Sequence, residues 1–177
     1  PIVTATGMFG AHMYEVVEVG DDNLVGEIVR LTEDRATIQV YEDTTMLKPG
    51  APIIRSGAPL SLQLGPGLIG NIYDGIQRSL PGMHELSGAW IVRGEKVPPL
   101  DADKLWSFQP TAQVGQTVTG GQILGEVPET VLVTHRIMVP PDVSGTLKSL
   151  AEAGQYTIRD TIAVVETPTG PRELTMA

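Results

Sequence analysis

The sequence predicts an all-β protein, and three observations carry that reading. Several short runs alternate apolar and polar residues with a period of two. Turn signals separate these runs at short, regular intervals. Glycine (20) and proline (14) are frequent while aromatic residues are only 5% of the chain, which suits many strands joined by tight turns better than a helical bundle.

The first 64 residues hold the densest strand patterns. Leu24 to Leu31 follows the turn Gly20-Asp21-Asp22-Asn23, and Glu33-Asp34 joins it to Ala36 to Tyr41. There Ala36, Ile38 and Val40 alternate with Thr37, Gln39 and Tyr41, which puts one set on a buried face. Lys48-Pro49-Gly50 and Ser56-Gly57 mark further turns, and Leu60, Leu62 and Leu64 alternate as a last strand. Strands at this spacing predict a small N-terminal antiparallel β-barrel over residues 1–64. Gly65-Pro66-Gly67 ends it, a short helical turn is expected to follow, and residues 65–80 read as a connector.

Residues 81–177 form the second region, with a short strand at Ala89 to Val92. Strands then resume at Trp106 to Gln109, Gln122 to Val127, Val131 to Val139, Gly145 to Leu150, Thr161 to Glu166 and Glu173 to Met176. Gly115-Gln116 precedes Ile123 as Gly154-Gln155 precedes Ile162. Each copy is a glycine turn, a polar stretch and an apolar strand. The repeat suggests paired hairpins, as in a barrel-sandwich hybrid of the biotinyl or lipoyl type.

Composition excludes several functions. The 177 residues contain no cysteine, so disulfides, cysteine metal sites and thiol nucleophiles are out. The formal charge of −9, with 12 Lys plus Arg, leaves no basic stripe for nucleic acid. No apolar run approaches the roughly 20 residues of a membrane span, and no signal peptide is expected. A start at Pro1 rather than Met reads as an excised or processed piece.

No catalytic constellation emerges. A P-loop needs a Gly-Lys pair, but Lys48, Lys96, Lys104 and Lys148 follow Leu47, Glu95, Asp103 and Leu147. His12, His84 and His135 lack metal-site spacing, so no metal site is expected. Asp101 and Asp103 read as a solvated acidic loop, since Trp106 stands where a calcium loop needs glycine. No Gly-x-Ser-x-Gly elbow occurs. Trp90, Trp106, Phe108 and Tyr156 read as core and rim of the second region. A lipoyl-type carrier would present a lysine on a hairpin between the two halves of its repeat, yet Leu105 to Leu147 contains none. A stand-alone small-ligand or lipoyl-like module is the alternative reading.

The connector makes the chain recognisable. Gly65-Pro66-Gly67-Leu68-Ile69-Gly70-Asn71-Ile72-Tyr73-Asp74-Gly75-Ile76-Gln77-Arg78 closely resembles a segment of the catalytic A subunit (alpha chain) of V-type and archaeal-type rotary ATPases. Met13-Tyr14-Glu15-Val16, Leu24 to Leu31 and Gln39 to Thr44 resemble that family's barrel. Ser107-Phe108-Gln109-Pro110, Ile137-Met138-Val139-Pro140-Pro141 and Gly154-Gln155-Tyr156-Thr157 resemble its bulge, or non-homologous region.

The resemblance implies a non-catalytic piece of a larger polypeptide, whose parent couples ATP synthesis or hydrolysis to proton or sodium transport. It implies Mg-ATP in the parent but no cofactor site in this chain, the family's catalytic residues lying beyond Ala177. The family's first barrel strand begins before Pro1, which implies an unpaired barrel edge here. The implied partners are B subunits of an A3B3 hexamer and the E and G subunits of the peripheral stalk, in a cytoplasmic sector peripheral to the membrane. The candidate docking residues are the bulge turns Pro128-Glu129-Thr130 and Pro140-Pro141-Asp142, because rigid prolines lower the entropy lost when a loop is ordered by a partner.

Overall fold

Alternating apolar residues must find a sheet to join, and in a computed structural model describing residues 1–90 and 92–177 they do so in two places. One compact unit comprises Pro1–Leu62 and Asp74–Val97, the other Gln63–Tyr73 and Pro98–Ala177. This division differs from bounds at 1–64, 65–80 and 81–177. The connector is shared out, its early part to the second unit and its late part to the first.

In the first unit, β1 (Ile2–Ala5), β2 (Glu15–Val19), β3 (Leu24–Thr32), β4 (Arg35–Val40) and β5 (Ile53–Pro59) form one antiparallel sheet. The strand order is β1-β4-β3-β2-β5. Alternate residues Val17, Val19, Leu24, Ile28, Ala36, Ile38 and Val40 fill its core. The outer strands β1 and β5 flank one groove, lined by Ile2, Val3, Ile53 and Arg55 among others. The sheet is thus an incompletely closed barrel.

Two expectations for this unit change. Ser56-Gly57 is not a turn between strands: it lies inside β5, where Gly57 has φ 76° and the β2–β5 register slips between Glu15 and Val17. Ser56, Gly57 and Ala58 stand there opposite Val16 alone, a bulge with two extra residues that a glycine eases. Leu60, Leu62 and Leu64 lie outside any strand and are exposed. Alternation matched the period, but β5 ends at Pro59, which cannot donate to a ladder.

The helix also lies later than expected. α1 (Leu80–Ser87) starts where the Ser79 side chain accepts from the Gly82 amide and Pro81 sits in the first turn, and it stops at Gly88. The strand expected at Ala89 to Val92 runs across residue 91, outside the described residues. Trp90 belongs to the first unit and is exposed, so it is not part of the second unit's core.

The second unit holds β6 (Trp106–Pro110), β7 (Thr117–Val118), β8 (Ile123–Pro128), β9 (Thr134–Met138), β10 (Gly145–Leu150), β11 (Gly154–Tyr156), β12 (Ala163–Thr167) and β13 (Gly170–Leu174). They make two four-stranded sheets, β13-β12-β10-β7 and β11-β6-β8-β9. Mapping β6, β7, β8 and β9 onto β10, β11, β12 and β13 turns one sheet into the other. Each half lends its second strand to the other half's sheet, so neither half can bury its apolar face alone. This is the physical content of the repeat seen in sequence. The second copy differs in detail, because Gly154-Gln155 lies in strand β11 rather than in a turn. The expected last strand also moves, from Glu173–Met176 to Gly170–Leu174, in hairpin with β12.

Glycine permits the closest approaches. A Cβ on Gly145 would lie 2.0 Å from the Glu166 carbonyl oxygen, and one on Gly125 would lie 2.3 Å from the Phe108 ring. Phe108 is fully buried and meets Tyr156 edge-on at 6.2 Å. Gly145→Ala should therefore destabilise the second unit by about 1–3 kcal/mol, the usual cost of overpacking. Gly75→Ala, where nothing lies within 4 Å, should leave the calorimetric melting profile unchanged.

Candidate docking site

The β8–β9 loop is short, so its polar groups must be satisfied locally or by a side chain from elsewhere. The Thr130 hydroxyl accepts from the amides of Leu132 and Val133, at 3.3 and 3.0 Å. The amides of Glu129 and Thr130 donate to the Val133 carbonyl. Glu129 itself turns inward, its side chain only 1% exposed. Its Oε1 accepts from the amides of Gly67 (2.7 Å) and Ile69 (3.0 Å), and its Oε2 lies 3.2 Å from His135 Nδ1. Burial pushes the Glu129 carboxyl up, but the Ile69 and Gly67 amides and the His135 ring outweigh it and hold it below the usual range.

These bonds leave Val131 and Leu132 at the tip, 102% and 94% exposed. They are the most exposed large hydrophobic residues among the described residues of this unit. Sequence reasoning missed them by extending the strand from Val131 to Val139, whereas β9 starts at Thr134. The signal available was Pro128-Glu129-Thr130, in which threonine can hydrogen-bond the following amides.

The candidate residues lie at the two ends of β9. Pro128, the last residue of β8, and Thr130 in the loop are exposed, while Glu129 uses its carboxylate internally. Pro140, Pro141 and Asp142 follow β9 at its other end, with Pro140 half-buried and the other two exposed. The strand between them, at roughly 3.3 Å per residue, is about 16 Å long.

The second unit also bears on the carrier alternative. The connection between its two halves runs from Val139 to Ser144 and contains no lysine. Lys148 lies within β10, 3.1 Å from Glu166. Trp106 and Phe108 are buried and Tyr156 half-buried, as expected of core and rim. Asp101 holds the Asp103 and Lys104 amides in a local turn.

The first unit has its own inward-facing carboxylates, which the sequence did not single out. Glu15 is fully buried beside Arg55, whose Nε and Nη2 donate to it at 2.8 and 3.0 Å. The amides of His12 and Gly57 also donate to it, each at 3.0 Å. Arg55 holds the Glu15 carboxyl down to about 2 against the opposing effect of burial, helped by the two amides. Arg78 plays a similar part for the segment from Asp74 to Val97. It reaches Asp74 at 2.7 Å and Glu42 at 3.1 Å, while Glu42 also accepts from the Gly94 amide.

A partial β-barrel and a barrel-sandwich unit in one chain define a class, the barrel domains of rotary-type ATP synthases. Residues 1–57 match the ATP synthase alpha/beta family, beta-barrel domain. Residues 97–177 match the ATPsynthase alpha/beta subunit barrel-sandwich domain. Over 177 residues the chain is 54% identical to the A subunit of the A-type ATP synthase of Pyrococcus abyssi (strain GE5 / Orsay), covering 99% of this chain and 17% of that protein. The corresponding A subunit of Hyperthermus butylicus is 54% identical over 179 residues, covering 99% of this chain and 30% of its own. That of Desulfurococcus sp. (strain SY) is 53% identical over 173 residues, covering 98% and 30%. The chain belongs to the family of A-type ATP synthase A subunits. It spans 17 to 30% of the length of these relatives.

Two outcomes follow from the buried carboxylates. Glu15 stays ionised in the folded chain down to about pH 2, whereas the unfolded chain takes up a proton near 4.5. Its contribution to stability is therefore complete above about pH 4.5 and lost as pH falls through about 2. Urea unfolding of the first unit across pH 2–6 should show this, with a shallower acid slope in Glu15→Gln. In Glu129→Ala the Gly67 and Ile69 amides lose their acceptor, and their hydrogen exchange should speed up by about tenfold or more, equivalent to roughly 1.4 kcal/mol.

Proposed function

We propose that the chain is the non-catalytic assembly and docking part of a rotary ATPase A subunit. On this reading the first unit joins A and B subunits into an A3B3 ring, and the second docks the peripheral stalk through its E and G subunits. The parent would bind Mg-ATP elsewhere and couple its synthesis or hydrolysis to proton or sodium transport, in a cytoplasmic sector peripheral to the membrane. Family membership supports the parent. No helix among the described residues is long and apolar enough to cross a membrane.

The observation that carries the docking reading is the braced β8–β9 tip. Val131 and Leu132 are almost wholly exposed, yet the loop beneath them is tied by Thr130 and Glu129. A partner that covers such a tip gains apolar burial with little ordering cost. Part of the candidate site changes accordingly: Glu129 serves as the brace, while Pro128 and Thr130 flank the contact.

Capture of purified stalk E–G heterodimer by the full chain tests this. Binding at tens of micromolar or tighter is expected, weakened at least about tenfold by Val131→Glu with Leu132→Glu, since two buried aliphatic contacts are lost. No capture, or equal capture by the double variant, would contradict it. Titration with magnesium-ATP should give no heat, because the 177 residues hold no P-loop; micromolar affinity would point instead to intrinsic nucleotide binding.

A further inference from the structure

Residues 74–97 belong to the first unit without joining its sheet. Among their described residues Met83 is the one buried hydrophobic, and none belongs to the barrel core or packs half-buried against it. The main-chain hydrogen bonds of these described residues close within the segment. Asp74 donates to Arg78, Gln77 to Asp74, Met83 to Ser79 and Gly88 to His84. The Ser87 hydroxyl donates to Glu95 at 3.1 Å, and Arg78 reaches the Glu95 carbonyl at 3.4 Å. The segment is folded on itself.

What ties it to the barrel is charge. In residues 1–62 acids outnumber bases by more than two to one. Each Lys or Arg of the segment meets one of those acids: Arg78 meets Glu42 at 3.1 Å, Arg93 meets Asp22 at 2.9 Å and Lys96 meets Glu18 at 2.7 Å. The Gly94 amide also donates to Glu42, at 2.6 Å, and Arg93 donates to the Thr45 carbonyl. Glu42 therefore holds both arms of the segment. A Cβ on Gly94 would lie 2.1 Å from the Asp22 carbonyl oxygen, so the second arm lies directly on the β2–β3 turn. Pairs as exposed as Arg93–Asp22 and Lys96–Glu18 are screened by salt, while the apolar core of the sheet is not.

We propose that residues 74–97 form a strap clasped to the barrel by charge, which salt releases as one piece while the five-stranded sheet stays folded. A segment with polar attachments and one buried hydrophobic opens at lower free energy than the strands beneath it. Release bares Glu18, Asp22 and Glu42, and it opens the groove of about 450 Å³ that Arg93 lines together with Asp21, Asp22 and Lys48. The assignment is independent of which subunits the barrel joins, because it concerns contacts within the first unit.

Hydrogen exchange of the full chain at about 0.05 M and about 1 M sodium chloride, corrected for intrinsic rates, tests this. The Met83, Gly88 and Gly94 amides should speed up together in high salt, at least about threefold, while Ile28 and Ile38 in the sheet stay slow. Glu42→Ala removes the acceptor shared by both arms. At low salt it should speed exchange at least about tenfold at Met83 and Gly88, whose own hydrogen bonds lie within the segment. Should Glu42→Ala not fold, Arg93→Ala with Lys96→Ala is expected to give the same result. Segment and sheet amides opening together with one urea dependence would overturn the assignment. So would exchange indifferent to salt, or a change confined to Gly94 in Glu42→Ala.

Discussion

The carboxylate of Glu129 is the constraint on which the second unit's irregular parts depend. A glycine-rich turn such as Gly65-Pro66-Gly67 cannot place its amides in a ladder, and buried amides without acceptors are costly. Glu129 accepts from the Gly67 amide, 62 residues away in sequence, and from the Ile69 amide, and is itself oriented by His135. One side chain thereby ties Gly67 to Ile69 to the sandwich and to the loop that carries Val131 and Leu132. The first unit uses the same device twice, with Glu15 beneath Arg55 and with Arg78 between Asp74 and Glu42. In both units the strands supply the core, and buried carboxylates secure segments that strands cannot.

The strand exchange between sheets ties the two halves of the second unit together. Because β7 completes the sheet of β10, β12 and β13, and β11 completes that of β6, β8 and β9, each half depends on the other. Close backbone approach at Gly145 and ring contact at Gly125 leave little freedom for sliding. The connection between the unit's halves, Val139 to Ser144, carries two prolines and no lysine.

Much of this was legible in the sequence, for identifiable reasons. β10 spans Gly145–Leu150 as expected, and β3 and β4 lie within a residue of expectation, because turn residues bracket alternating apolar runs. The repeat around Gly115 and Gly154 correctly pointed to paired halves. Leu60, Leu62 and Leu64 misled because periodicity does not reveal whether a neighbouring edge exists. The short strands β7 and β11 are too brief to show a period and form only through pairing across the halves. The connector carries the most recognisable part of the family resemblance, but the contacts that divide it between two units are long-range. For the same reason Glu129 looked like a surface residue, although its neighbours in sequence are indeed exposed.

Hydrogen exchange of the full chain, alone and with the stalk E–G heterodimer, tests most directly whether Glu129 braces a docking tip. The Gly67 and Ile69 amides should already be slow in the free chain. The partner should then add protection over residues 129–133. Fast exchange at Gly67 and Ile69 in the free chain, or protection confined to other segments on binding, would contradict that role.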